Sequence, residues 1–281
     1  TNLYKNFSDD AMPPLFPYGG GYGCGALYLE EPGFPDWFNH RISTISWGRL
    51  YTHDLDPHEA TFVNTDQISL VMNKLVDLDV DGSSRLYFAN FEGGGARIEP
   101  GATVGHIVQA KPKGWTYREF PNLARATPAE LIAFLDQGSA VLRQQSQWAL
   151  IDHEEASVNS LLKKSVEDPS ASLEARIAAL YAINLRNEPE STDWLKNWLN
   201  GSLLTESALR ALLDRKERDE LNLAPIIETM LDHENPRVQL QAAAGAARVG
   251  RKELTSSLLR LSLEEGRLPL VQDVPHVHDA I

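Results

Sequence analysis

From Thr127 onward an Ala- and Leu-rich helical stretch returns every thirty-odd residues, and no other feature limits the fold of this chain so tightly. Its copies are Val141-Leu142-Arg143, Ala175-Arg176-Ile177, Ala208-Leu209-Arg210 and Leu240-Gln241-Ala242. With Arg143, Arg176, Arg210 and Gln241 as markers, the spacings are 33, 34 and 31 residues. A unit of that length holds a pair of helices with an apolar face it cannot bury alone, so copies must stack. Thr127-Pro128-Ala129-Glu130 opens the array: Thr caps, Pro fits the first helical position, and Glu130 completes a capping box. Asp168-Pro169 and Asn235-Pro236 break the chain ahead of two of the helices. A weaker fifth copy is expected from Val277-His278, cut short at Ile281.

Several repeat classes share a period in the low thirties. The ankyrin TPLHxA and tetratricopeptide WxxLGxxY patterns are missing, and a polar-Pro turn before an Arg-containing Ala/Leu helix fits short HEAT-like repeats best. Ala242, Ala243, Ala244, Ala246 and Ala247 suit close helix contact. An irregular helical bundle is the alternative.

The first half has a different texture. Strand-like runs at Ala26 to Glu30, Ile45 to Leu55, Leu75 to Val80, Leu86 to Phe91 and Gly105 to Ala110 alternate with Pro, Gly and Asp clusters, including Gly19 to Gly21 and Gly93 to Gly95. This is the pattern of an antiparallel meander. Val76 to Phe88 is its clearest part: an alternating strand enters an Asp81-Gly82 turn and leaves as Leu86-Tyr87-Phe88. Asp bonds its own backbone there, and Gly accepts unusual dihedral angles. Followed by Gly105-His106-Ile107-Val108, this is one β-propeller blade in outline. The expected fold is thus multidomain β plus α: residues 1–114 as the last blades of a propeller, 115–126 as connector, and 127–281 as a HEAT-like α-helical repeat solenoid.

Composition narrows the partners. A 42% hydrophobic content excludes wholesale disorder, and a formal net charge of -13 argues against nucleic acid. No apolar run reaches the ~20 residues of a membrane-spanning helix. The single Cys24 forbids an internal disulfide and a cysteine-based metal site. The chain opens on Thr1, with no initiator Met and no signal peptide, and is expected to be a C-terminal piece of a larger protein.

Taken in order, Gly25-Ala26-Leu27-Tyr28, Phe34-Pro35-Asp36-Trp37, Trp47-Gly48-Arg49-Leu50-Tyr51 and the Asp77 to Phe88 blade resemble the end of a glucose/sorbosone dehydrogenase-type propeller. Phe120-Pro121-Asn122-Leu123, Thr127 to Leu135 and the helix at Val141 to Leu150 are similar to the junction of a fused form. That form is the large "membrane-bound dehydrogenase" of planctomycetes and verrucomicrobia, in which the propeller is joined to HEAT repeats. The resemblance implies a periplasmic or exported oxidoreductase that uses pyrroloquinoline quinone (PQQ) and calcium to oxidise a sugar or other alcohol. It implies a His base from an earlier blade, so this fragment alone is expected to be catalytically silent and to hold no cofactor. The family also grips PQQ with two arginines spaced i, i+2 before the last Asp-Gly turn. The matching positions here are Lys74 and Val76. Lys74 meets a carboxylate as a point charge without the bidentate fork, and Val76 cannot meet one at all. A non-catalytic propeller and repeat scaffold that binds protein partners is the competing reading.

Other constellations have simpler expectations. Asp77-x-Asp79-x-Asp81-Gly82 opens like a calcium-binding EF-hand loop, but the twelfth position is Phe88 instead of Glu and the flanks are strands, so a structural turn is expected. The three carboxylates would then line a solvated strand edge. The Gly21 to Gly25 cluster has the wrong spacing for a dinucleotide loop. His53 and His58, beside Asp54 and Asp56, read as a polar loop between strands. His276 with His278, and His153, lack metal-site spacing. Arg215 to Glu220 is a solvated run of mixed charge. Trp148, Trp194 and Trp198 read as packing between repeats. Trp194 and Trp198, i, i+4 on one face, would instead mark a partner-binding patch if exposed, through which the helical array docks a protein or a neighbouring domain.

Overall fold

The computed structural model describes residues 23–46, 48–71, 74–90, 105–200, 203–215 and 221–263. The glycine clusters at 19–21 and 93–95, the end of the charged run after Arg215, His276, His278 and the expected fifth copy lie outside them. Contacts divide the chain into two units. Among the described residues, one comprises Gly23–Asp56 together with Asn64–Ala182; the other comprises Pro57–Val63 and the chain from Ile183. The first unit thus holds nearly all the strands, the connector and the first helices. Secondary structure changes near residue 115, whereas compactness divides the chain near residue 182.

Both sheets are antiparallel meanders in chain order. β1 (Gly23–Leu29), β2 (Arg41–Ser46), β3 (Arg49–His58) and β4 (Thr61–Val71) form one; β5 (Leu75–Val80), β6 (Leu86–Asn90) and β7 (His106–Ala110) form the other. Neither closes on itself among the described residues. The expected run Ile45 to Leu55 is two strands, because Gly48 takes a left-handed φ of 69° and reverses the chain between Ser46 and Arg49. β4 was not anticipated; its centre, Asn64-Thr65-Asp66-Gln67, is polar and hides the strand. His53 lies within β3, buried and opposite Ile42, and not in a loop. β5 packs against β1 and β2. Leu29, Ile45, Leu50, Leu78, Val80, Leu86 and Phe88 form the shared apolar core, which Val141 from the helical segment also meets.

Alternating burial along β5 follows the period-2 rule: Leu78 and Val80 point inward, Asp77 and Asp79 outward. The turn that follows is organised by Asp81. Its carboxylate accepts the N–H groups of Ser83 (3.0 Å) and Arg85 (3.1 Å), the Tyr87 hydroxyl (3.0 Å) and the Arg85 guanidinium (2.6 Å). Burial alone would raise its pKa, but these donors outweigh it and hold the carboxyl below its ordinary range. Asp81 is a turn clamp whose oxygens are already committed, the structural role expected of this Asp-Gly turn.

The helices are α1 (Pro128–Phe134), α2 (Ala140–Ile151), α3 (Ser157–Glu167), α4 (Leu173–Arg186), α5 (Ser191–Asn197), α6 (Thr205–Leu213), α7 (Ala224–Leu231), α8 (Pro236–Val249) and α9 (Thr255–Leu263). The markers Arg143, Arg176, Arg210 and Gln241 fall on α2, α4, α6 and α8, every second helix. The capping box at α1 is complete: Thr127 Oγ1 accepts from Glu130 N–H, and Thr127 N–H donates to the Glu130 carboxylate at 2.8 Å. α8 starts at Asn235-Pro236 with the Asn side chain as cap and ends at Gly250 in the left-handed region.

Within the first unit α1 packs on α2 and α3. Within the second, α5 packs on α6, α7 on α8, α6 on α8, and α7 on α9. Side chains tie every second helix at repeat spacing. Gln147 Nε2 donates to Ala178 O, Arg215 Nε to Asn184 Oδ1, and Arg237 Nε to Glu206 Oε2, each spanning 31 residues. On α8 the expected alanine face is corrected. Ala242, Gly245 and Ala246 are buried, while Ala243 is half-buried and Ala244 and Ala247 are exposed. A helix advances about 100° per residue, so five residues of a six-residue run cannot share one face. Gly245 is the tightest point: a Cβ there would stand 2.5 Å from a Leu213 methyl.

Candidate functional site

The most unusual chemistry among the described residues is two adjacent buried carboxylates, Glu30 and Glu31, at the end of β1. The segment after them turns through Pro32-Gly33 and is pinned by Asn39, whose Oδ1 accepts the Glu31 N–H (3.0 Å) and whose Nδ2 donates to Glu31 O (3.0 Å). This reciprocal pair fixes the backbone so that both glutamates face the start of α2. Ser139 caps α2, its Oγ accepting from Leu142 N–H at 3.1 Å, and donates its own proton to Glu31 Oε1 at 2.8 Å. Val141 N–H also donates to Glu31 Oε1, and Ala140 N–H to Glu30 O. The start of α2, with its positive dipole end, is therefore filled by a carboxylate from the β segment.

Glu30 has a different partner. Arg143, one turn into α2, donates through Nη1 to Glu30 Oε1 at 3.0 Å and also through Nη2. Each side chain of the pair is only 9% exposed. The guanidinium bonds Glu30 alone of the two carboxyl groups, and Glu31 Oε2 is buried without a hydrogen-bond partner among the described residues. Burial pushes the Glu31 carboxyl up to about 7. The Ser139 and Val141 donors act against that rise, and Glu30 and Asp81 add repulsion. Near neutrality Glu31 therefore exchanges a proton. Nothing in the sequence marked these glutamates, because their partners lie more than a hundred residues away; Arg143 stood out only as a repeat marker.

The expected site residues are dispersed. Lys74 is exposed, at a left-handed φ of 53° in the turn before β5. Val76, two residues on, is 40% exposed and contributes no donor. Lys74 and Val76 do not make the two-arginine clamp for PQQ that the resemblance implies. Trp194 on α5 and Trp198 at its end are half-buried, while Trp148 on α2 is exposed. No group of three or more His, Cys, Asp or Glu residues placed to hold a metal is found among the described residues. No described helix is long and apolar enough to cross a membrane. No protein-family model matches the chain, and no curated protein matches it.

Proposed function

We propose that this chain is a non-catalytic brace: blades of a β-propeller locked onto the first helices of a HEAT-like repeat array that docks a protein partner or a neighbouring domain. One observation carries the reading. Buried polar contacts of the first unit, Glu30 with Arg143 and Glu31 with Ser139, join a strand end to the start of α2 across more than a hundred residues. Val141 adds an apolar contact to the sheet core beside them. Fixing propeller and repeats as one piece is what a brace requires. Two meanders in chain order, with the first strand of one against the first strand of the other, support the propeller reading. Contacts between every second helix, tied by polar groups 31 residues apart, support stacked repeats.

The enzymatic reading, a PQQ- and calcium-dependent sugar or alcohol dehydrogenase, rests on the family resemblance. Lys74 and Val76 weigh against it in this chain, because a lone exposed ammonium lacks the bidentate geometry that grips a quinone carboxylate. Adding PQQ and calcium to a protein that includes the earlier blades implied by the resemblance, while following tryptophan fluorescence, separates the two. The brace reading expects no saturable change at micromolar PQQ; a saturable change abolished by Lys74→Ala would restore the enzyme. Bracing itself is tested by introducing a protease site in the exposed stretch Thr116 to Glu119. After cutting, the two pieces should co-elute on size exclusion, and Arg143→Ala should release them. Separation of the cut wild-type pieces would end the proposal.

A further inference from the structure

A small open cleft lies where the β5–β6 turn meets the connector, lined by Gly33, Ser83, Ser84, Lys113, Trp115 and Arg118 among others. Its walls are fixed by short hydrogen bonds. Trp115 Nε1 donates to Ser83 O at 2.6 Å, and Ser83 Oγ donates to Arg118 O at 2.6 Å. Trp115 N–H closes a turn onto Pro112 O at 3.0 Å. The site is thus shaped before any ligand arrives.

Its charge runs against that of the chain. Arg85 and Lys111 both stack on Trp115, with Lys111 Nζ 4.6 Å from the ring centroid, and Lys113 and Arg118 line the cleft. Arg85 is neutralised by Asp81. Lys111, Lys113 and Arg118 have no ion-pair partner among the described residues, and Glu119 is the one acidic neighbour in the connector. In a protein of net charge -13, two cations without an ion-pair partner among the described residues line one polar hollow, and a third lies on its Trp115 ring; together they mark a place for an anion. A donor is also in reserve. Buried Ser84 Oγ accepts the Gly33 N–H at 3.0 Å, which leaves its own hydroxyl hydrogen without an acceptor among the described residues.

Size limits the ligand. The cleft holds about 110 Å³. That is somewhat less than the roughly 150 Å³ of a cavity that encloses benzene, so a phosphate- or sulfate-sized group fits inside it. We propose that this cleft binds a compact tetrahedral oxyanion, held by Lys113, Arg118 and the Ser84 hydroxyl. The cleft borders the Pro32-Gly33 turn that follows Glu31, but its anion-holding groups are not those of the Glu30–Arg143 pair, so its test reads separately from the bracing role.

The test titrates the full chain with inorganic phosphate, sulfate and acetate at low salt, following backbone amide shifts by NMR. Phosphate and sulfate should give saturable shifts at Ser83, Ser84 and the 113–118 segment, with acetate weaker. The surface double variant Lys113→Ala/Arg118→Ala should lose at least about tenfold in affinity with an unchanged melting midpoint, since each charged contact is worth a factor of ten or more. Lys196→Ala, an intermediate-exposure lysine on α5, should lose none. Phenyl phosphate distinguishes a free anion from a phosphoryl group on a larger molecule: tighter binding than inorganic phosphate indicates the latter, weaker binding the former. A linear, unsaturable response, equal affinity in the double variant, or shifts that map elsewhere would overturn the assignment.

Discussion

Replacing Arg143 by Ala removes the one cation paired with Glu30 among the described residues. The pair is almost wholly desolvated, with each side chain 9% exposed and Nη1 3.0 Å from Glu30 Oε1. At that separation and an effective dielectric of about 20, the Coulomb attraction is about 5.5 kcal/mol. Breaking one side of a buried pair costs roughly 3–5 kcal/mol, because the remaining charge stays buried without compensation. The two figures are of the same order, so Arg143→Ala is expected to lower the stability of the first unit by about 4 kcal/mol. The assay is urea unfolding of wild type, Arg143→Ala, Glu30→Gln and the double variant. The coupling energy from the cycle should exceed about 2 kcal/mol, as for contacting residues in one network. Arg143→Met combined with Glu30→Gln should recover most of the loss, since a neutral buried pair carries no stranded charge. A loss under about 1 kcal/mol for Arg143→Ala, in the range of an exposed ion pair, would refute the reasoning.

Glu31→Gln should change how stability depends on pH. The folded carboxyl titrates near 7 and the unfolded one near 4.5, so its contribution is complete below about 4.5 and is lost as pH rises through 7. The variant should match wild type near pH 4.5 and exceed it by up to roughly 3 kcal/mol at pH 8, read from urea midpoints. Buried neutral His53 acts in the opposite direction, losing stability as pH falls, so the difference between variants is the decisive quantity. Parallel pH profiles would contradict the assignment. Gly245→Val should destabilise the second unit by at least about 2 kcal/mol through overlap with Leu213, while Ala244→Val on the exposed face of α8 costs under about 1 kcal/mol. Equal losses in thermal melts would mean the α6–α8 contact is looser than described. Thr127→Ala removes one half of the capping box and should cost about 1 kcal/mol, with faster exchange of the α1 amides; unchanged exchange would rule out the cap.

Local patterns were readable and long-range partners were not. The 33, 34 and 31 spacing placed its markers on alternate helices because Ala and Leu at helical period report a packing face directly. β5, the Asp81 turn and β6 were equally plain, since alternation and turn chemistry act within a dozen residues. β4 escaped notice because polar residues at its centre break the alternation, and Ile45 to Leu55 merged two strands because a tight turn at Gly48 leaves little polar signature. The alanine face of α8 was placed too broadly, since alanine reports closeness to a neighbour but not the phase of the helix. The junction was invisible for a different reason. Glu30-Glu31 before Pro-Gly looks like an ordinary strand end, and an Arg in an Ala/Leu helix looks like a repeat feature; only folding brings them within 3 Å.

Native-state hydrogen exchange across β5, β6 and α2 tests the brace most directly. If Glu30, Glu31, Arg143 and Ser139 make strands and helix one piece, the slowest amides of Leu75–Asn90 and of Ala140–Ile151 open with the same free energy, and Arg143→Ala splits them into two. Separate opening energies in the wild type, left unmoved by Arg143→Ala, would contradict it.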